Sequence, residues 1–386
     1  MLSVLTVRLL TQEDYGNISF ALSIIAIASA FSGLGAYWSL LRFGPTLRSF
    51  SERHTIFIYT IKKGTIFTFG ILTILIVFSF FLPKSINHSK IYLIILSFSL
   101  VTQFLYESYK SYLRIINRNR AYSYSNVVGS IFSFLFGVIL SILFSGKGYA
   151  FSIVLAPLFS FLYFSKRIFI DSHNKSNILV AGYWSYGIYT GLGMIANQMI
   201  ISLAPVIPGY LSASAKEIAL LRVATIIPMN LLILPLIVLT TDFVHLSKNY
   251  KNANLLRNYY INFLKTFSMI CFFPFLLLFV FNKQIIVILF GNAYEGCSYM
   301  SLILNISILF SFLFRIPLGN IIAAVGKANW NVVHTLFWII VFIPTCIWVY
   351  PIWGVNGIAS VIAGIFIVSG FFSILIFSYY LKMLKI

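Results

Sequence analysis

The chain is built from apolar runs, and their length decides what it can fold into. A helix needs roughly 20 apolar residues to cross a hydrocarbon layer of about 30 Å. After a short apolar piece at residues 1–10, runs that meet or approach this length occupy 16–41, 64–82, 91–113, 122–144, 148–164, 178–203, 218–241, 259–281, 298–325, 330–353 and 354–381. The pattern predicts eleven membrane-spanning helices and a leading fragment. Backbone in lipid must satisfy its own hydrogen bonds, and uninterrupted runs of this kind do so as helices. The chain is 60% hydrophobic and only 9% charged, where a soluble domain carries about 25% charged residues. No polar stretch is long enough for a separate soluble domain. The expected fold class is an all-α polytopic membrane protein.

The net charge of +19 sits in short loops between the runs. Of the 27 Lys and Arg residues, 19 fall in one alternating set of loops, 6 in the other, and Arg222 and Arg315 stay inside spans. By the positive-inside rule the richer set is cytoplasmic, which puts the C-terminus inside and Glu13–Asp14 outside. This placement points to the lipid bilayer as the partner and away from nucleic acid. Cys271, Cys297 and Cys346 are far apart and lack metal-ligand spacing, so neither a disulfide framework nor a metal site is expected, and no cofactor is called for. No basic n-region or A-x-A site marks a signal peptide. There is no G-x-x-x-x-G-K-[ST] loop, so no ATPase module travels on the chain. No nucleophile–base pair stands out, and an enzyme is not expected.

An internal repeat is visible. Leu105–Leu113 falls on Leu313–Ile321, each stretch followed by a basic turn (Arg118-Asn119-Arg120 and Gly326-Lys327) and then a span. Gly148-Tyr149-Ala150 falls on Gly357-Ile358-Ala359, and Glu13-Asp14-Tyr15-Gly16 near Glu217-Ile218-Ala219. An offset of about six spans preserves orientation, so the halves are expected to be related by an axis along the membrane normal. The implied organisation is an N-terminal helical lobe at 1–164, a cytoplasmic linker at 165–177 and a C-terminal helical lobe at 178–386.

Arg8-Leu9-Leu10-Thr11-Gln12-Glu13-Asp14-Tyr15-Gly16 resembles the R-x-L-x-x-E-x-Y-G that opens the second helix in the polysaccharide-export branch of the multidrug/oligosaccharidyl-lipid/polysaccharide (MOP) superfamily. Tyr186-Gly187 is similar to the opening of that family's seventh helix. Leu289-Phe290-Gly291-Asn292-Ala293-Tyr294 resembles its L-F-G-x-x-Y, and Asn320–Lys327 its L-x-A-x-G-K turn. The likeness runs along essentially the whole chain and is nearest to the O-antigen and capsule repeat-unit (Wzx-like) flippases. It implies a MATE-like two-lobe bundle of about 12 transmembrane helices, a central cavity and alternating access. The implied cargo is an undecaprenyl-pyrophosphate-linked oligosaccharide. The implied setting is the bacterial inner membrane, alongside polysaccharide polymerase and chain-length proteins. Two departures stand out. The family begins with a complete helix before Arg8, of which this chain carries only the last residues. The charged pair often found midway along helix seven is replaced by Asn197-Gln198.

Such a cargo needs cations for its pyrophosphate, and the planar fork of arginine suits phosphate. Arg222 lies inside the 218–241 run, where a charge costs a few kcal/mol. It either faces a wet cavity that carries the anionic cargo or snorkels to the outer headgroups. Arg315 and Glu107 occupy matching positions in the repeat and either pair as a gate between lobes or snorkel separately. Arg42 ends the second helix, as a cavity cation or as a positive-inside anchor. Asn197 and Gln198 suit sugar contact or plain interhelical hydrogen bonding. Tyr183, Tyr186 and Tyr189, with Trp184, suit an interfacial belt or sugar stacking. Asp242 and His245 share a helix face, as a proton relay or as solvated groups at the cytoplasmic end. The competing functions are a cation-coupled drug exporter, which wants cavity carboxylates where this chain has 8 acidic residues in all, and a non-transporting membrane scaffold.

Overall fold

In the computed structural model residues 2–86, 88–165 and 182–384 are described, and every regular element among them is helical. The order is α1 (Leu2–Leu9), α2 (Gln12–Ser29), α3 (Ala36–Phe43), α4 (Phe50–Phe78), α5 (Ser89–Ile115), α6 (Asn119–Ser165), α7 (Tyr183–Tyr210), α8 (Ala215–Leu231), α9 (Ile233–Lys248), α10 (Ala253–Val280), α11 (Asn282–Phe290), α12 (Ser298–Phe310), α13 (Ile316–Ala324) and α14 (Ala328–Met383). Apolar side chains cover the outside of several of these helices. Phe272 and Phe273 on α10 are 69% and 64% exposed, which water would penalise and acyl chains would not. The chain is a multi-pass membrane protein.

Boundaries depart from the apolar runs where polar chemistry takes over. The helix expected at 64–82 begins at Phe50, because Ser49 and Glu52 form a capping box: Glu52 N donates to Ser49 Oγ at 3.1 Å and Ser49 N to Glu52 Oε2 at 3.3 Å. The extra turns carry Arg53, Lys62 and Lys63 out of the apolar run. The run expected as one span at 218–241 is two helices, α8 and α9, stepping at Leu232 between Pro228 and Pro235. Proline has no N–H for the helical ladder and crowds the preceding turn.

The repeat has a geometric signature. Asn117 and Gly326 both end a helix in the left-handed region, at φ 59° and φ 85°. In each turn the next amide reaches back five residues, Arg118 N to Leu113 O at 2.9 Å and Lys327 N to Ile322 O at 3.0 Å. This is a Schellman termination, and glycine is the usual residue for it. Each turn leads into a long helix that contains two spans, α6 broken at Ser145 and α14 at Gly354.

By packing, the chain divides into two units, Met1–Lys216 and Glu217–Ile386. The linker read from the sequence at 165–177 falls almost wholly outside the described residues, and the first unit runs on through α7. Small residues explain why α7 stays with it. Antiparallel to α2 and α3, α7 sets Gly209 on Phe20, Gly191 on Ala30 and Gly187 on Leu34 and Gly35, and Ala215 closes the line on Gly16. A Cβ on Gly35 would lie 2.1 Å from Gly187 O, and one on Gly16 1.8 Å from Ala215 O. Backbones this close leave no room for any other residue. Tyr183 pins one end of the seam. Its hydroxyl shares a hydrogen bond with Thr60 at 2.5 Å, and its carbonyl accepts from Ser39 Oγ at 2.5 Å.

In the second unit a core of Leu318, Ile321, Ile322, Leu256, Tyr260 and Phe377 joins α13 to α10 and α14. Between α12 and α13 the chain makes a π-helical turn, Ser311–Arg315, closed by Ile316 N to Ser311 O. Pro317 supplies the cause. It has no N–H for Leu313 O, so the ladder widens there. The hydroxyl of Tyr260 reaches the Leu313 carbonyl at 3.4 Å instead.

Candidate functional site

Arg222 lies near the start of α8, half-buried between the fully buried Leu221 and Val223. Its guanidinium makes no hydrogen bond or ion pair with any described residue. The Thr225 hydroxyl donates to the Arg222 carbonyl at 2.7 Å and turns inward. At helical spacing, Arg222, Ile226 and Asn230 form one accessible stripe, half-buried at the first two and exposed at the third, while Leu221, Val223, Ala224 and Thr225 are buried. Asn230 therefore joins Arg222 on the open face, and its Nδ2 donates to Ile226 O at 2.7 Å. The spacing of eight residues was visible in the sequence; the openness of that face was not.

Arg315 closes the π-helical turn. It is half-buried, and its guanidinium lies 5.2 Å from the Phe366 ring centroid on α14. It too makes no ion pair or hydrogen bond with a described residue. His334 on α14 is within electrostatic reach of Arg315. Trp338 Nε1 donates to His334 Nε2 at 2.9 Å, so the neutral ring carries its proton on Nδ1. Asn331 Nδ2 donates to Gly319 O at 2.6 Å, and Asn320 Oδ1 is buried without a partner. Sequence reasoning missed the placing of His334 and Trp338 beside Arg315. The available signals were Pro317 just after Arg315 and the His334–Trp338 spacing of four.

The other expected site residues lie on α3, α5, α7 and α9. Glu107 pairs with its own helical neighbour, Lys110 Nζ to Oε1 at 2.6 Å. The spacing of three residues could have shown this. Arg42 is exposed at the end of α3, as an anchor would be. Tyr186 is partly exposed and meets Phe43 edge-on at 5.7 Å between centroids. Tyr183, expected in a belt or at a sugar, is 4% exposed and belongs to the core. Asn197 and Gln198 lie on α7, but their side chains fall outside the described ones. Asp242 accepts from Tyr259 Oη at 2.8 Å, and His245 is exposed.

The motif around Glu13 proves to be a joint. Thr11 caps α2 by accepting from Asp14 N at 3.1 Å and donates to Asp14 Oδ2 at 3.0 Å. Tyr92 Oη on α5 donates to Asp14 Oδ1 at 2.5 Å, and Ser89 Oγ donates to Asn17 Oδ1 at 2.7 Å. Gly16 meets the backbone of Ala215.

Apolar helices broken at matching positions of a repeat, with cations inside them, define an all-α multi-pass membrane protein. Solved structures agree on the fold. An inward-facing multidrug resistance MATE transporter of the MOP superfamily superposes with a TM-score of 0.82 at 14% identity, covering 100% of this chain and 94% of that one. The lipid II flippase MurJ, in an inward closed conformation, gives 0.75 at 15% identity, covering 100% and 89%. A MOP-superfamily transporter from Pyrococcus furiosus gives 0.68 at 15%, covering 100% and 92%. No curated protein sequence matches the chain. The family model for polysaccharide biosynthesis proteins matches residues 4–299, and the chain belongs to that family.

Proposed function

We propose that the protein is a flippase that moves an undecaprenyl-pyrophosphate-linked oligosaccharide, an O-antigen or capsule repeat unit, from the inner to the outer leaflet of the bacterial cytoplasmic membrane. The observation that carries this is Arg222: a half-buried guanidinium on an apolar helix with no partner among the described residues. Leaving a charge there costs a few kcal/mol, roughly 3 at mid-membrane and less towards an end. An anion that arrives with the cargo removes the cost. A pyrophosphate accepts the two parallel N–H bonds of a guanidinium. Arg315 offers a second cation with no ion-pair partner among the described residues, resting on the Phe366 ring, with His334 Nδ1–H a neutral donor nearby. Asn230, on the open face of α8, has an amide oxygen free to accept from a sugar hydroxyl.

Membership of a polysaccharide biosynthesis family supports a sugar-bearing cargo, and the fold shared with a lipid II flippase supports lipid-linked transport. A drug exporter would need free carboxylates in its spans. Here Glu107 is tied to Lys110 and Asp242 to Tyr259. In this proposal the C-terminus is cytoplasmic, access alternates between the two faces, and polymerase and chain-length proteins act on the delivered unit.

The test is a deletion strain complemented with variants. Loss of the gene should abolish surface polysaccharide and leave lipid-linked units on the cytoplasmic leaflet. Arg222→Ala should fail to restore export, whereas Arg222→Lys, which keeps the charge and loses the fork, should restore part of it. Full export by Arg222→Ala would remove the assignment.

A further inference from the structure

Two hollows in the first unit run together on α6. One, of about 430 Å³, lies between Tyr106 and Lys110 of α5, the start of α1 and both spans of α6, where Asn126, Ser130, Ser133 and Ser160 line it. The other, of about 460 Å³, is a groove on the outside of the same helix and shares Asn126, Ser130 and Phe134 with the first. The rest of the groove is apolar and open: Val127, Ile131 and Leu135 are 57%, 49% and 46% exposed. A molecule that fills both has a polar end and an apolar end. Depth gives its direction. Lys110 lies five residues before the end of α5 and Asn126 seven after the start of α6, which puts the polar pocket about 8–10 Å from the Arg118-Asn119-Arg120 turn. The positive-inside rule makes that turn cytoplasmic. Val127 to Leu135 extends about 12 Å deeper, so the polar end stands near the inner headgroups and the apolar end towards the midplane.

The polar wall selects the head. Lys110 keeps 14% of its side-chain surface accessible and gives one N–H to Glu107 Oε1, which leaves two of its three donors. Its ammonium lies 4.8 Å from the Tyr106 ring centroid. Such donors suit a phosphate oxygen. Glu107 cancels the charge of Lys110, however, so a head that carries both signs matches the pocket better than a net anion. The hydroxyls call for the second sign. Ser130 Oγ donates to Asn126 O at 2.9 Å and Ser133 Oγ to Gly129 O at 2.8 Å, so their hydrogens are spent and their lone pairs remain. Tyr106 Oη is likewise spent on Ser125 O at 2.7 Å, and Ser160 Oγ on Ala156 O at 2.7 Å, the latter on a fully buried residue. Ser130 is exposed and Ser133 half-buried, so these two can accept from an ammonium N–H, which a choline head lacks. We infer that pocket and groove together bind a phosphoethanolamine lipid of the cytoplasmic leaflet, its phosphate on Lys110, its ammonium on Ser130 and Ser133, and one chain along Val127, Ile131 and Leu135. Every residue of this site belongs to the first unit, whereas Arg222 and Arg315 belong to the second.

The experiment uses the purified full-length chain in detergent, with lipid retention read by native mass spectrometry. Phosphatidylethanolamine, phosphatidylcholine and phosphatidylglycerol with identical chains are compared at equal concentration. Phosphatidylethanolamine should be retained about tenfold better than phosphatidylcholine, as befits one hydrogen bond from a charged donor. Ser130→Ala combined with Ser133→Ala should bring it down to the level of phosphatidylcholine and leave phosphatidylcholine unchanged. A photoactivatable phosphatidylethanolamine should crosslink within 106–110 and 126–135, and soluble phosphoethanolamine at the same concentration should not displace it. Because the three lipids are compared on the unaltered protein, the result does not depend on the variant folding. Equal retention of phosphatidylethanolamine and phosphatidylcholine would overturn the proposal. Strongest retention of phosphatidylglycerol would overturn it in favour of a plain cation site, and displacement by soluble phosphoethanolamine in favour of a site for free phosphate esters. Crosslinks that map away from both segments would overturn it as well.

Discussion

Ser145 and Gly354, 209 residues apart, break their helices with the same backbone conformation, φ 50° and ψ −133° in the first and φ 57° and ψ −144° in the second. Each reverses the chain between two spans without a loop. Glycine holds this conformation without cost, whereas serine pays for its Cβ, on the order of 1–3 kcal/mol. Ser145→Gly is therefore expected to stabilise the protein by about 1 kcal/mol, and Gly354→Ala to destabilise it by a similar amount. Thermal unfolding of the detergent-solubilised protein reads both. A Ser145→Gly variant that melts earlier would show that the serine has a compensating role.

The seam between α7 and α2–α3 leaves no room for a side chain. In Gly187→Ala the new Cβ would fall 2.6 Å from Leu34 O and 2.8 Å from Ser39 Oγ. Overpacking of a tight contact costs about 1–3 kcal/mol. Gly35→Ala should be worse, because it meets backbone at 2.1 Å and φ is 67°. Gly70 is the control: nothing lies within 4 Å of its Cβ position, so Gly70→Ala should leave folding intact or improve it. Size-exclusion profiles and melting temperatures rank the three. Equal behaviour of Gly35→Ala and Gly70→Ala would contradict the close approach.

Arg222 separates stability from function. A charge without a partner in an apolar helix destabilises, so Arg222→Leu should raise stability by about 1–3 kcal/mol while export is lost. Melting temperature and polysaccharide export are measured on the same variant. A drop in both would make Arg222 a structural residue whose partner is a lipid headgroup.

Pro317 makes the π-helical turn that carries Arg315. Pro317→Ala restores the N–H that Leu313 O lacks. It should tighten the turn, rotate Arg315 away from Phe366 and lower export, with unchanged or higher stability. Tyr260→Phe should cost about 0.5–1.5 kcal/mol in the parent and little in the Pro317→Ala background, where the carbonyl has its own partner. The double-mutant cycle reads this coupling directly. Additive effects would show that the Tyr260 hydroxyl does not substitute for the missing N–H.

The order of spans, the repeat and the family were legible in the sequence, because each rests on local rules. Apolar runs must become helices in lipid, and a basic turn marks the same boundary at the same offset in each half. The pairing of Glu107 with Lys110 was also legible, being a matter of spacing on one helix. The sequence named Arg222 and Arg315 as cations in apolar spans, since charge in such a run is conspicuous.

Other features were decided only by the tertiary structure. That Tyr183 is core and Tyr186 partly open depends on how α7 lies on α3, and the closeness of that seam comes from glycines on separate helices. The accessible stripe of Arg222 and Asn230 exists because the other residues of that stretch of α8, Leu221 and Val223–Thr225, are buried. The gathering of His334 and Trp338 near Arg315 follows from a turn widened by Pro317 and packed against α14. The polar pocket at Lys110 exists because α5 and both spans of α6 close around it. A linear pattern records what each residue prefers by itself, but which polar atoms remain unsatisfied depends on every neighbour brought within about 3.5 Å of them.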